Sequence, residues 1–87
     1  SANAGIYNVY TLVVTLCKSS LLTTSSVASM LKSLFKKDDI FKQMVEYSAD
    51  EDLVKQFRLV KYSLRYGLYH FLAIFTKYKL KKANKFN

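Results

Sequence analysis

Apolar side chains recur at helical spacing in residues 5–17, the first segment of the chain, which carries no formal charge. The positions that share one helical face are Ile6, Val9, Tyr10, Val13, Leu16 and Cys17. They follow the i, i+3, i+4, i+7 pattern of a helix with one buried side, so we predict a helix here. The segment is also rich in Thr, Val and Tyr, which favour strands, and a strand remains the alternative.

A polar cluster over residues 18–26 predicts a loop, with Ser25 or Ser26 as the N-cap of a second helix. The apolar residues that follow fall on one helical face: Val27, Met30, Leu31, Leu34 and Phe35. Lys36 and Lys37 suit the C-terminal end of this helix, because cations stabilise the negative end of the helix dipole.

A third, shorter helix is predicted over residues 39–47, with Asp38 or Asp39 as its cap. Its apolar side consists of Ile40, Phe41, Met44 and Val45. The helix carries Asp39 and Glu46 against Lys42, so it would be repelled by DNA phosphates. That charge argues against a helix-turn-helix motif with this element as the recognition helix.

Residues 49–82 read as one long helix. Ser48 and Glu51 have the spacing of a capping box at its start. Gly67 interrupts the pattern at a cost of about 1 kcal/mol relative to alanine, which a helix tolerates. A continuous helix of this length would extend about 50 Å. That exceeds the size of so small a domain, so we expect the helix either to project from the bundle or to bend or break near Gly67.

The long helix has one apolar stripe, which we expect to face the core: Leu53, Phe57, Val60, Leu64, Leu68, Phe71, Phe75 and Tyr78. The complete predicted core consists of Ile6, Val9, Val13, Leu16, Val27, Met30, Leu31, Leu34, Phe35, Phe41, Met44, Val45, Phe57, Val60, Leu64, Leu68 and Phe71.

The composition supports a helical fold. Apolar residues make up 51% of the 87 residues, which is too many for a disordered chain. There is no proline and there are only two glycines, whereas an all-β domain needs many turns. We therefore predict one all-α domain over residues 1–87, a bundle of three short helices plus one long C-terminal helix, with residues 83–87 as a frayed tail.

Charge is sorted along the chain. Residues 1–37 carry four lysines and no acid, residues 38–52 carry all six acids against Lys42, and residues 53–87 carry nine cations and no acid. Acids at the start of the predicted long helix and lysines at its end suit the helix dipole. The cations in its middle have no such explanation.

Those cations and several tyrosines share the side of the long helix opposite the apolar stripe. The candidate partner-binding or anion-binding residues are Lys55, Arg58, Lys61, Tyr62, Arg65, Tyr66, Tyr69, Lys77, Lys79, Lys81 and Lys82. Cations bind anionic groups, and tyrosine rings stack on or anchor a partner. The alternative is a solvated face whose tyrosines lie over the bundle.

The residue types that enzymes and metal sites need are scarce. The chain has one cysteine, Cys17, and one histidine, His70, which supply at most two ligands where a structural zinc site needs four. We predict no catalytic residue, no metal site and no cofactor, and we expect Cys17 to be a buried, unreactive thiol. The protein is therefore predicted not to be an enzyme.

Our leading hypothesis is a non-enzymatic interaction module that docks on a partner protein or an anionic membrane surface through the basic helix. Nucleic-acid binding by the same helix is an alternative, although twelve lysines against two arginines argue against base-specific recognition. A third hypothesis is self-assembly, with the acidic block 38–52 of one copy against the basic block 53–87 of another.

Residues 66–76 carry no formal charge but are too few to span a bilayer, so they are expected in the core or at a membrane interface. A single cysteine provides no disulfide framework, which favours an intracellular or membrane-associated location. The chain begins with serine rather than methionine, and we expect it to be a processed product or part of a longer protein.

Overall fold

The structure, a computed structural model, describes residues 3–84 without the side chain of Asp52. These residues form five α-helices and one turn of 3-10 helix, joined by short loops. The helices are α1 (Ala4–Lys18), α2 (Thr24–Lys37), α3 (Asp39–Glu46), α4 (Lys55–Arg65) and α5 (Tyr69–Asn84), and the 3-10 turn is Asp50–Asp52. Within these residues there is no strand. The all-α prediction is confirmed, and residues 5–17 are helical. The predicted frayed tail is helical at residues 83 and 84, and residues 85–87 lie outside the described range.

The caps of α2 and α3 explain where these helices begin. Thr23, rather than Ser25 or Ser26, caps α2, because its Oγ1 accepts a hydrogen bond from the Ser26 N–H at 3.1 Å. Asp38 ends α2 and caps α3, with its Oδ1 accepting from the Phe41 N–H at 2.9 Å. The predicted cap at Asp38 is therefore confirmed. A single residue between the helices forces the chain to turn sharply there.

The predicted capping box at Ser48 is wrong. The Ser48 hydroxyl is buried and donates to the Val45 carbonyl at 2.8 Å, which continues the end of α3 instead of starting a new helix. The Ala49 N–H donates to the side-chain oxygen of Asn3 at 3.0 Å. These contacts hold residues 48 and 49 outside a helix, and α4 begins only at Lys55, with no side-chain cap.

The long helix is in fact two helices, which confirms the alternative of a break near Gly67. Gly67 has φ +74°, a left-handed conformation that glycine adopts without strain. The Leu68 N–H donates to the Ser63 carbonyl at 2.8 Å, and the Gly67 N–H donates to the Leu64 carbonyl at 3.3 Å. This pair of bonds is a Schellman motif, which ends α4 and redirects the chain into α5.

Replacing Gly67 with alanine is expected to lower the free energy of unfolding by about 1 kcal/mol, because an L-residue is strained at positive φ. A new Cβ would meet only the Tyr69 ring, at 3.8 Å, so crowding adds little. Asparagine tolerates this conformation better, and Gly67→Asn should lose less. Urea denaturation measures both. An alanine variant as stable as the wild type would contradict this account of the turn.

The core lies between the helices, with α5 packed on α1, α2 and α4. The fully buried residues are Ile6, Val9, Val13, Val27, Ala28, Leu31, Val45, Val60, Leu64, Leu72 and Ala73. Phe35 and Phe41 are also buried, and Leu16, Leu34, Met44 and Phe57 are partly buried against this cluster, so most of the predicted core is confirmed.

Several core predictions are wrong. Met30 is exposed, because the buried side of α2 is centred on Val27, Ala28, Leu31 and Phe35. Leu68 and Phe71 are about half exposed, and Tyr78 is exposed. Since the chain is redirected at Gly67, the apolar stripe of α4 does not continue onto α5. The core side of α5 is instead formed by Tyr69, Leu72 and Ala73.

Candidate functional site

The predicted basic face of the long helix is divided between two sides of α4. One side faces α3 and the 3-10 turn. Lys61 lies there and is only 3% exposed. Its Nζ donates to Asp50 Oδ1 at 2.8 Å and to the Ser48 carbonyl at 2.7 Å. Lys61 thus forms a structural ion pair with Asp50, and its side chain is buried. This corrects the prediction that Lys61 lies on an exposed binding surface.

Tyr62 and Asp50 extend the same contact. The Tyr62 hydroxyl donates to Asp50 Oδ2, so both carboxylate oxygens are engaged. The hydrogen bond from Lys61, and then that from Tyr62, lowers the pKa of Asp50 from its usual 3.8. The same contact with Asp50 raises the pKa of Tyr62. These perturbed groups satisfy one another, and their role is to fix α4 to the 3-10 turn.

Arg65 makes a second link on this side. Its Nη2 and Nε lie 2.5 and 3.2 Å from Glu46 Oε2, at the end of α3. Hydrogen bonding to this carboxylate raises the pKa of the Arg65 guanidinium. Glu46 and Asp50, which the self-assembly hypothesis would place against a second copy, therefore contact cations of their own chain.

Two candidate residues of α5 are also engaged within the fold. Tyr69 is buried against the core. Lys77 is partly buried, and its Nζ donates to the Leu22 carbonyl at 2.9 Å, which holds the loop between α1 and α2 against α5. The exposed candidates are Lys55, Arg58, Arg65, Tyr66, Lys79, Lys81 and Lys82, and of these Arg65 pairs with Glu46.

An open groove runs between α4 and α5 and encloses about 760 Å³. We call it the α4–α5 groove. Five of its lining residues are apolar or aromatic and carry no charge, and we call them the floor: Tyr10, Leu59, Leu68, Phe71 and Phe75. Its cations are Lys55, Arg58 and Lys79, and Gln56, Tyr62, Ser63 and Tyr66 complete the lining. The groove is thus lined both by predicted site residues and by apolar residues for which the sequence predicted another role or none. Leu68 and Phe71 had been predicted in the core, and Leu59 had no predicted role.

Two stacked pairs of aromatic rings line the groove. Phe71 and Phe75, one turn apart on α5, stack with ring centres 5.8 Å apart, and Tyr62 and Tyr66 on α4 stack at 6.2 Å. The Lys79 ammonium lies 5.9 Å from the centre of the Phe75 ring, a cation–π distance. The rings give the groove a large apolar surface whose side chains lose little freedom when a partner binds.

The charge of the groove has one sign. Of its lining residues, all of which the structure describes, three are cationic and none is acidic. Among described side chains, the ion pairs are those of Lys61 and Arg65, so Lys55, Arg58 and Lys79 have no acidic partner there. Within the described side chains, the charge of these three cations is therefore not offset by an acid.

The side of α5 that faces away from the bundle is also apolar. Ile74 is 58% exposed and Tyr78 is 60% exposed, and both follow Phe71 at helical spacing. Lys81 and Lys82 lie exposed on the next turn. When a helix is apolar on both its buried side and its outer side, the outer side normally packs against a second molecule or a membrane.

Cys17 and His70 do not form a site with one another. Cys17 is buried, its Sγ lies 3.8 Å from the Ala73 carbonyl, and burial raises the pKa of the thiol. His70 is exposed on α5. In the described part of the chain, no three His, Cys, Asp or Glu side chains come together as a potential metal site. Within residues 3–84, no helix combines the length and hydropathy that a membrane crossing requires.

Comparison of the chain with protein-family models, with curated proteins and with solved structures finds no match.

Proposed function

We propose that this protein is a non-enzymatic interaction module, which docks on a partner protein or an anionic membrane through α4 and α5. The observation that carries the proposal is the α4–α5 groove, where an aromatic floor lies beside cations that have no acidic partner among the described side chains. Apolar grooves that are rimmed by polar or charged side chains are typical of interaction sites. Aromatic residues and arginine are also enriched in protein interfaces.

The electrostatics support an anionic partner. Residues 53–87 contain no acid, so the charge of α4 and α5 is not offset within these helices. Among described side chains, Lys61 and Arg65 are neutralised by Asp50 and Glu46, which leaves Lys55, Arg58 and Lys79 at the groove, and Lys81 and Lys82 beyond it. Such a surface attracts anions over about a Debye length and loses that attraction at high salt.

A non-enzymatic role fits the perturbed titratable groups. Asp50, Tyr62 and Arg65 have shifted pKa values because they contact one another or Glu46, and these contacts link α4 to α3 and the 3-10 turn. Structural ion pairs perturb pKa values as catalytic sites do. None of these shifts calls for a reaction.

The test measures binding of the chain to two anionic probes at low salt: vesicles that contain phosphatidylserine, by co-sedimentation, and an acidic amphipathic peptide, by fluorescence anisotropy. We expect binding to at least one probe. Phe71→Ser should weaken that binding about tenfold, because Phe71 lines the groove and is about half exposed.

The matched control is Ile40→Ser, since Ile40 is an exposed apolar residue on α3 that does not line the groove. Binding of the Ile40 variant should equal that of the wild type. Failure to bind both probes, or equal loss in the two variants, would contradict the proposal. Salt-sensitive binding of duplex DNA that Phe71→Ser leaves unchanged would favour the nucleic-acid hypothesis instead.

A further inference from the structure

We infer that the α4–α5 groove binds an acidic amphipathic helix of a partner protein, with the apolar side of that helix on the aromatic floor and its carboxylates against the cationic walls. The inference rests on the proposed function and names the chemistry of the partner. An apolar groove that receives one side of an amphipathic helix is a recurring mode of peptide recognition.

The size of the groove matches a short helix. Lys55 and Lys79 each lie twelve residues from Gly67, the turn that joins α4 and α5, and both lysines line the groove. The groove therefore follows the whole of α4. The eleven residues of α4 extend about 17 Å at 1.5 Å per residue. A partner helix of about 12 residues, slightly more than three turns, covers this length.

Charge complementarity selects an acidic helix. Arg58 comes from α4 and Lys79 from α5, the two helices that wall the groove. A helix that carries carboxylates on both flanks of its apolar stripe meets a cation on each wall. The guanidinium of Arg58 is suited to bidentate contact with one of these carboxylates. A basic helix of the same shape would be repelled by both walls.

The partial burial of Phe75 favours a helix over a lipid bilayer. Phe75 is only partly exposed, and the ammonium of Lys79 lies 5.9 Å from the centre of its ring. The projecting side chains of a helix reach such a floor, whereas a flat bilayer would first contact Ile74 and Tyr78 on the outer side of α5. Phe75→Ala and Ile74→Ser therefore separate the two kinds of partner.

The experiment uses a labelled peptide of about 12 residues with leucines on one helical face and glutamates elsewhere. It is titrated with the full chain at low salt and followed by fluorescence anisotropy. A peptide with lysines in place of the glutamates is the control. We expect the glutamate peptide to bind and the lysine peptide not to bind. Phe75→Ala should weaken binding of the glutamate peptide, and Ile74→Ser should leave it unchanged.

Charge reversals locate the binding site. Arg58→Glu and Lys79→Glu should each weaken binding of the glutamate peptide about tenfold, because each replaces an attraction by a repulsion. Lys32→Glu makes the same charge change at an exposed position of α2 outside the groove. The charge reversals are compared at about 0.1 M salt, where the Debye length is about 10 Å, and there we expect Lys32→Glu to change affinity by less than about twofold. Circular dichroism establishes that each variant is folded.

Equal affinity for the two peptides, or equal effects of Arg58→Glu, Lys79→Glu and Lys32→Glu, would overturn the inference. If the glutamate peptide does not bind but phosphatidylserine vesicles do, and Phe71→Ser weakens that binding about tenfold, the helix inference is wrong and the proposed function stands. If neither the peptide nor the vesicles bind, both are wrong.

Discussion

Replacing Leu72 with alanine is expected to lower the free energy of unfolding by about 3 kcal/mol, because Leu72 is fully buried and the substitution leaves a cavity in the core. Leu72 lies on the side of α5 that packs against the rest of the bundle. The loss therefore weakens the attachment of α5, which forms one wall of the α4–α5 groove. Urea denaturation followed by circular dichroism measures the change.

The matched variant is Phe71→Ala, one residue earlier on the same helix. Phe71 is 46% exposed, and its ring stacks on Phe75. Losing that stacking should cost about 0.5–1 kcal/mol, well below the effect of Leu72→Ala, although Phe71 is the larger residue. If Phe71→Ala were the more destabilising change, the stripe of α4 would continue through Gly67 as the sequence alone predicts. The orientation of α5 described above would then be wrong.

The first three helices could be predicted because local signals and packing agree. In α1 the buried residues Ile6, Val9 and Val13 have the spacing that predicted them, and packing overrides the strand propensity of the segment. Asp38 is a strong cap between two apolar patterns, so the local sequence predicts the boundary between α2 and α3.

The segment after α3 could not be predicted from local signals, because distant contacts decide its structure. Ser48 and Glu51 have the spacing of a capping box, but the Ser48 carbonyl accepts from Lys61 and the Ala49 N–H donates to Asn3. Neither partner is near in sequence. Tertiary hydrogen bonds of this kind outweigh a local cap that contributes about 1 kcal/mol.

The break at Gly67 was left open by the sequence, and its consequence for the site was missed. A helix pattern places Leu68 and Phe71 on the stripe of Leu64, yet a left-handed residue at Gly67 resets that register. Because the helix breaks at Gly67, Leu72 and Ala73 face the core and Phe71 lines the groove. The sequence signal for this break was Gly67 itself, in a chain that has only two glycines.

The charge sorting of the chain has two distinct consequences in the fold. On one side of α4, Lys61 and Arg65 pair with the acidic segment, and these pairs hold α4 to α3 and the 3-10 turn. On the groove side, Lys55, Arg58 and Lys79 have no such partner among the described side chains. The same excess of cations therefore provides structural links on one side of α4 and an exposed positive surface on the groove side.

The buried Lys61 provides the second large effect. Lys61→Met keeps most of the apolar stem but removes the hydrogen bond to the buried Ser48 carbonyl, and should lower the free energy of unfolding by about 2 kcal/mol. The Asp50 side chain that remains is about half exposed, so water solvates its charge.

Asp50→Asn should be more destabilising than Lys61→Met, although Asp50 is the more exposed partner. It leaves the buried ammonium of Lys61 without an anion, and an uncompensated buried charge costs more than a solvated one. In the Lys61→Met background that penalty is absent, so the double variant should be about as stable as Lys61→Met alone. Glu51→Gln, which neutralises the neighbouring exposed acid, is the control and should change stability little. Two outcomes would contradict this prediction. The two single variants could lower the free energy of unfolding equally, or the double variant could lower it by the sum of the two single effects.

Acid titration gives an independent readout of the same contact. Lys61 and Tyr62 hold the pKa of Asp50 below the usual 3.8 in the folded chain, so the unfolded chain binds the proton more readily. The contribution of Asp50 to stability is therefore complete above about pH 5, and it is lost as the pH falls through the unfolded-state pKa and then the lower folded-state pKa. Thermal unfolding of the wild type should become easier with acid in this window. Asp50→Asn should remove that part of the dependence, whereas Glu51→Gln should retain it. If the Asp50 and Glu51 variants had the same acid profile, the carboxylate of Asp50 would not be the charge that holds Lys61 inside the fold.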